Sequence, residues 1–242
     1  YFVMKNGAAK TLALKFVLSR STVSQPIYPR SGSEFTVSVQ LTPPYSLWDG
    51  KDYKSTALSE QERYNWIEFH KWMLKGQWFT PLTRNGNLVL MARAEMGYLG
   101  HYNKNKVSPF ERFEVGGDGM TGYNMYGIDI ISMRGYDDGA LDPVGSNYSC
   151  AYNKYTMELR YPLLLKGQTN IYVLGFLEGG NGFTSWKEFS PFKIKRSAGI
   201  GVRLFLPVVG MVGVDWGWGF DPAAGQTKRS GSHIHFTMGM QF

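Results

Sequence analysis

His233-Ile234-His235-Phe236-Thr237-Met238-Gly239-Met240-Gln241-Phe242 decides the fold: every even position is apolar and every odd one is polar or glycine. Strict period-two alternation marks a strand whose two faces meet different surroundings. Working outward, Met211–Phe220 repeats the pattern, with Val212, Val214, Trp216, Trp218 and Phe220 on one side and Gly213, Asp215, Gly217 and Gly219 on the other. Glu34–Thr42 does so again, setting Phe35, Val37, Val39 and Leu41 against Glu34, Thr36, Ser38, Gln40 and Thr42. Six further segments read as strands: Lys10–Thr22, Glu62–Thr80, Asn87–Gly100, Tyr152–Leu163, Asn170–Gly180 and Ile194–Leu206. The total is nine strands and no convincing amphipathic helix. Within Glu62–Thr80 the apolar face shifts from Ile67 and Phe69 to Trp72, Leu74 and Trp78, which predicts a bulge near His70–Lys71.

The connections carry a second signal. Val23–Ser33, Pro81–Gly86, Leu164–Thr169 and Pro207–Gly210 are short, whereas Pro43–Gln61, His101–Ala151 and Asn181–Lys193 are long and Asp221–Ser232 is intermediate. Short and long links alternate along the chain. Transmembrane barrels sort their loops this way, with short periplasmic turns and longer extracellular loops, and a soluble sandwich has no reason to. The composition of the 242 residues agrees, with 29 glycines and 15% aromatics. The longest nearly apolar run, Leu204–Val214, is broken by Pro207, Gly210 and Gly213, so no helix of the roughly 20 apolar residues needed to span is present. A spanning strand needs only about ten, with alternate ones apolar. The single Cys150 excludes an internal disulfide and a cysteine-based zinc site. The net charge of +7 comes from scattered basic residues with no polybasic block, which argues against a nucleic-acid partner. No basic-then-apolar leader follows Tyr1, so a signal peptide is expected to be absent or already removed.

The predicted fold is therefore an all-β, antiparallel transmembrane barrel. Its apolar faces, with Ile234, Phe236, Met238, Met240 and Phe242 among them, are expected to meet lipid. His233, His235, Thr237 and Gln241 are then expected in a polar lumen. Trp78, Tyr98, Trp216 and Trp218 lie near strand ends, where interfacial aromatics belong. The alternative is a soluble, lipocalin-like barrel with its polar face outward; strand length, the Trp-rich apolar face and the terminal Phe242 oppose it. Parity adds an expectation. Bacterial single-chain barrels have even strand numbers with both ends periplasmic. Nine strands ending at a periplasmic Phe242 place Tyr1 outside, so the chain reads as the C-terminal part of a larger barrel.

Four features together resemble a known family. Tyr28-Pro29-Arg30-Ser31-Gly32-Ser33 is similar to its Tyr-Pro-x-x-Gly-Ser turn. Val115-Gly116-Gly117 resembles the Gly-Gly that opens its long sixth extracellular loop, and Met133-Arg134-Gly135-Tyr136 resembles that loop's Val-Arg-Gly-Phe/Tyr signature. Gly199-Ile200-Gly201-Val202-Arg203 through Gly213-Val214-Asp215-Trp216-Gly217 resembles the penultimate strand pair. The family is the BamA-type outer-membrane assembly factors, in the bacterial surface antigen and POTRA-transporter superfamily. The resemblance implies that residues 1–242 are the eighth to sixteenth strands of a sixteen-stranded barrel, with residues 101–151 as the long loop. It also implies that the POTRA domains and the first barrel strands lie outside this chain. The stretch Asp118–Ser132 is longer than the family pattern leads one to expect, so extra structure is expected there.

From the residues alone, Arg134 reads as a solvated arginine in a mobile loop. The resemblance implies instead that the loop folds into the lumen, where Arg134, Gly135 and Tyr136 form a latch onto the acids Glu158 and Glu178, behind Gly116 and Gly117. Arg203 and Asp215, with Arg93 and Glu95, fall on the polar face and are expected to be lumenal charges. Asp118, Asp129, Asp137, Asp138 and Asp142 lack calcium-loop spacing and are expected to be solvated. His233 and His235, at i and i+2 with no third ligand evident, are expected to be a structural lumen pair rather than a metal site. The last strand (Ile234, Phe236, Met238, Gly239, Met240, Phe242) is implied to be one side of a lateral seam that templates client strands.

No nucleophile–base–acid constellation, phosphate loop or metalloprotease motif is found, so no enzyme activity and no cofactor are expected. The implied partners are unfolded outer-membrane β-barrel clients, outer-membrane lipids and lipopolysaccharide, and accessory subunits of an assembly complex in the bacterial outer membrane. The alternatives are a two-partner-secretion-type polypeptide transporter of the same superfamily and, less well supported, an outer-membrane enzyme.

Overall fold

The computed structural model describes residues 7–55, 57–120, 126–145, 148–166, 169–207 and 209–239. Among these residues eleven strands form: β1 (Leu14–Ser21), β2 (Gly32–Leu41), β3 (His70–Pro81), β4 (Val89–Gly100), β5 (Phe113–Val115), β6 (Asp129–Ile131), β7 (Ala151–Lys166), β8 (Thr169–Phe183), β9 (Lys195–Leu206), β10 (Gly210–Pro222) and β11 (Arg229–Met238). Nine of them make one antiparallel meander in the order β1-β2-β3-β4-β7-β8-β9-β10-β11. Among the described residues the sheet is not closed on itself; β1 and β11 are its two edges. The remaining strands, β5 and β6, pair in parallel inside the β4–β7 connection.

Alternation along each strand sorts the two faces of this wall. On β11, Phe236 is 54% exposed, while its neighbour His235 is 5% exposed. On β10, Trp216 is 45% exposed and Asp215 is completely buried. Trp72, Leu74 and Trp78 of β3, Met157 and Leu159 of β7, and Ile200 and Val202 of β9 lie on the same outer face. A contiguous apolar face this broad is untenable in water and suits hydrocarbon. The inner face carries Glu158, Glu178, Arg203 and Asp215, all buried.

Three expectations need correction. The β3 register runs without a break from His70↔Leu41 to Phe79↔Gly32, so there is no bulge at His70–Lys71. The apparent change of phase arises because residues 62–69 are not strand. Helix α1 (Glu60–Tyr64) begins at a capping box, in which the Ser59 hydroxyl accepts from the Glu62 N–H while the Glu62 carboxylate accepts from the Ser59 N–H. Ile67 and Phe69 then turn inward into a core with Leu99, Tyr152 and the loop residues Phe113, Val115, Met133 and Tyr136. The lumen is also not uniformly polar. Near the short turns Tyr28, Phe79, Val89, Met91, Tyr172, Leu174 and Phe176 form an apolar floor. Finally, β7 and β8 are longer than their alternation predicts, reaching Lys166 and Phe183.

Candidate functional site

The connection between β4 and β7 folds back against the inner face of the wall, and its backbone explains how. Gly116 and Gly117 have φ of +141° and +72°. A Cβ on Gly116 would lie 2.2 Å from the Asp137 carbonyl oxygen, and one on Gly117 would overlap the Asp138 carboxylate. Only glycine lets the two arms of the loop cross this closely. Hydrogen bonds from Gly117 N–H to Tyr136 O (3.1 Å) and from Met133 N–H to Gly117 O (2.9 Å) then fix the Arg-Gly-Tyr turn. Strand β6 lies within the Asp118–Ser132 stretch and pairs with β5.

At the end of that turn Arg134 meets the acids. Its Nε and Nη2 donate to Glu178 Oε1 at 3.0 and 2.7 Å, and Nη2 also reaches Glu158 Oε1 at 2.7 Å. The Arg134 backbone N–H donates to Glu178 Oε2 at 2.9 Å. The guanidinium carbon lies 3.8 Å from the centroid of the Phe176 ring, so the fork is stacked from below as well as paired. Glu158 is shared with Arg160 at 2.7 Å, and Glu178 lies 3.8 Å from Lys154. Arg203 binds Asp215 bidentately at 2.8 and 2.7 Å, and Arg134 Nη1 lies 3.6 Å from Asp215. Four cations therefore face three anions across four strands and a loop, all inside the wall. Buried charges persist only when paired in this way.

Gly135 (φ +89°) follows, and it sits where β10 is bare. A Cβ on Gly217 would come within 2.8 Å of Gly135 N, and one on Gly219 within 2.4 Å of Gly135 O. Tyr136 is fully buried, and its hydroxyl donates to Arg196 O at 2.8 Å. The structure thus brings Arg134, Gly135 and Tyr136 together with Glu158, Glu178, Arg203 and Asp215. Ile234, Phe236 and Met238 lie on the outer face of β11. Gly239 (φ +96°) donates its N–H to Met211 O at 2.8 Å. Met240 and Phe242 lie outside the described residues.

Sequence reasoning overlooked Arg160, Lys154 and Phe176. The two cations were findable, because Lys154, Thr156, Glu158 and Arg160 share one parity on β7. Phe176 was not, since its parity places an aromatic in a lumen taken to be polar. The turn residue Tyr28 also gains a role: buried, it donates to Asn87 O at 2.8 Å and Arg160 O at 3.0 Å, tying the β1–β2 turn to the β3–β4 turn and to β7.

The acidic loop residues are not all solvated, which corrects a further expectation. Asp129 pairs with buried Lys71 at 2.6 Å. Asp142 is buried; its Oδ1 accepts from Ser149 Oγ at 2.5 Å and Val115 N–H at 3.3 Å, and Oδ2 has no hydrogen-bond partner among the described residues. Burial pushes the Asp142 carboxyl up to about 7, helped by the nearby Glu114 and opposed by the Ser149 and Val115 donors. A carboxyl whose folded pKa lies above its unfolded value of about 3.9 binds extra protons when folded. Its contribution is fully present below that unfolded value and is lost as pH rises through about 7. Loop proteolysis is therefore expected to be slower at pH 5.5 than at pH 8, and Asp142→Asn should flatten this dependence. An unaltered pH profile in Asp142→Asn would show that Asp142 does not set it.

A wall that is apolar outside and charged inside, with its longest loop folded against the inner face and clamped by an arginine, defines part of a transmembrane β-barrel. The chain belongs to the Omp85 superfamily: the model for the Omp85 superfamily domain matches residues 3–242. Among solved structures, the chain is similar to the crystal structure of BamA from Haemophilus ducreyi lacking POTRA domains 1–3, with a TM-score of 0.62 at 17% identity. That match covers 93% of this chain and 41% of the other, so the chain spans less than half of that protein's length, and the likeness is one of fold. No curated protein matches the sequence significantly.

Proposed function

We propose that this chain is the C-terminal barrel portion of a BamA-type insertase in a bacterial outer membrane, with β11 as one side of a lateral seam. The observation that carries this reading is the inner face of the last hairpin. Of the β10 residues Gly213, Asp215, Gly217 and Gly219, three have no side chain, and the last pairs with another glycine, Gly231. Cross-strand side-chain pairs stabilise sheets by about 0.2–1 kcal/mol each, and here most are missing on one face. A hairpin so thinly held can give up an edge, and an exposed edge templates an incoming strand by β-augmentation.

On this reading the unfolded barrel client supplies the free energy by its own folding, and neither nucleotide nor cofactor takes part. The outer apolar face would meet lipids and lipopolysaccharide, and accessory subunits would dock elsewhere on the complete protein. A second reading, export of a polypeptide through the pore, draws on the lumenal cavity of about 390 Å³ lined by Arg93, Lys154, Arg160 and Arg203. The latched loop opposes it, because Arg134, Glu158 and Glu178, clamped together, line that same cavity.

The test uses the complete protein in liposomes presented with an unfolded outer-membrane barrel. Faster client insertion, read as protease-protected folded product, with small single-channel conductance is expected. Large conductance without accelerated insertion would replace the insertase reading with the transporter.

A further inference from the structure

His233 and His235 do more than fill the lumen face of β11. The Gly135 N–H donates to His235 Nε2 at 2.8 Å, in a buried contact that spans 100 residues of sequence. The accepting nitrogen carries no proton, so the ring is neutral there. Beside it, His233 Nδ1 lies 3.1 Å from Asp137 Oδ1 in the same loop, and the two rings lie 6.0 Å apart and nearly parallel. Consecutive inward residues of β11 thus contact Gly135 within the Arg-Gly-Tyr turn and Asp137 just after it.

The strand partners explain why this matters. On the inner face, β11 meets Gly213 opposite Thr237, Asp215 opposite His235, Gly217 opposite His233 and Gly219 opposite Gly231. The neighbouring strand offers one side chain in four, and that one, Asp215, is already held by Arg203. The place a cross-strand side chain would take is filled by the loop backbone, 2.8 Å from a Cβ on Gly217. A buried donor left unsatisfied costs more than an average hydrogen bond contributes, so the Gly135 N–H ties loop position to strand position.

We propose that His235 is a positioning residue that fastens the inner face of β11 to the latched loop, so that β11 leaves its place only when Arg134–Gly135–Tyr136 lets go. The consequence for client insertion rests on the insertase reading; the fastening itself does not.

The experiment uses the complete protein in liposomes with three variants. His235→Phe keeps a flat ring of similar size without the acceptor. His235→Gln keeps an acceptor at nearly the same reach. The third, Asp137→Cys with His233→Cys, places two thiols where the second contact lies. His235→Phe is expected to speed proteolysis of the loop about tenfold, the population change given by losing one buried hydrogen bond. It should also lower the yield of the 137–233 disulfide when introduced into the double-cysteine protein, and His235→Gln should restore both. Wild-type proteolysis and disulfide yield in His235→Phe, or failure of His235→Gln to rescue, would overturn the proposal. Oxidising the cysteine pair is expected to slow client insertion, and reductant should restore it. If the disulfide forms and depends on residue 235 but insertion is absent throughout, the fastening stands and the insertase reading falls. If insertion proceeds equally with the disulfide closed or open, the role in strand release falls and the insertase reading stands.

Discussion

Replacing Arg134 by alanine is expected to destabilise the latched loop by about 3 kcal/mol and to expose it to protease. Breaking a buried ion pair from one side costs about 3–5 kcal/mol, because the remaining charge stays buried without its partner. Two observations place the value at the lower end. Glu158 keeps Arg160 at 2.7 Å, and Glu178 keeps Lys154 at 3.8 Å along with the Thr156 hydroxyl at 3.2 Å. Three losses still have no replacement: the bridging Nη2, the donation from Nε, and the stack on Phe176. Arg134→Lys should recover less than half, since an ammonium cannot present the planar fork that engages both carboxylates. Denaturant titration of the complete protein, with loop proteolysis beside it, checks this. A shift below about 1 kcal/mol, within the range of an exposed pair, would mean that the network does not hold the loop.

A lysine in place of Phe236 is expected to cost about 2–4 kcal/mol in folding into liposomes, the penalty for a cation on the lipid face near mid-bilayer. Phe236 pairs with Val214, which pairs with Val202, so the substitution falls in the middle of an outward apolar belt. The control is Ser38→Lys on the inner face of β2, where a change of no more than about 0.5 kcal/mol is expected. Equal costs at the two positions would mean that the outer face does not meet hydrocarbon.

Much of this was legible in the sequence, and the reason is geometric. Side chains on a strand alternate by construction, so a chain facing lipid on one side and a lumen on the other must write that division into its residue order. Trp216 against Asp215 and Phe236 against His235 can be assigned without coordinates. The glycines at 116, 117 and 135 announce a backbone that must pass close to another, without saying to what. The short helix α1 was also within reach, since Ser59-x-x-Glu62 is a capping box. It was missed because the apolar residues that follow extend the alternation of β3 backward.

Period-two order determined that this protein has nine wall strands, which face of each is outer, and which charges lie inside, because each is a property of one strand read locally; the alternation of short and long links added the antiparallel barrel. Beyond the pairing of Arg134 with Glu158 and Glu178 that the motif resemblance implies, tertiary structure alone decided which inner groups meet. That Arg134 stacks on Phe176, that Asp142 is buried, and that His235 holds the backbone of a residue 100 positions away depend on where a long loop lands. No local pattern encodes that landing place; it follows from how loop backbone, bare glycines and buried charges satisfy one another in three dimensions.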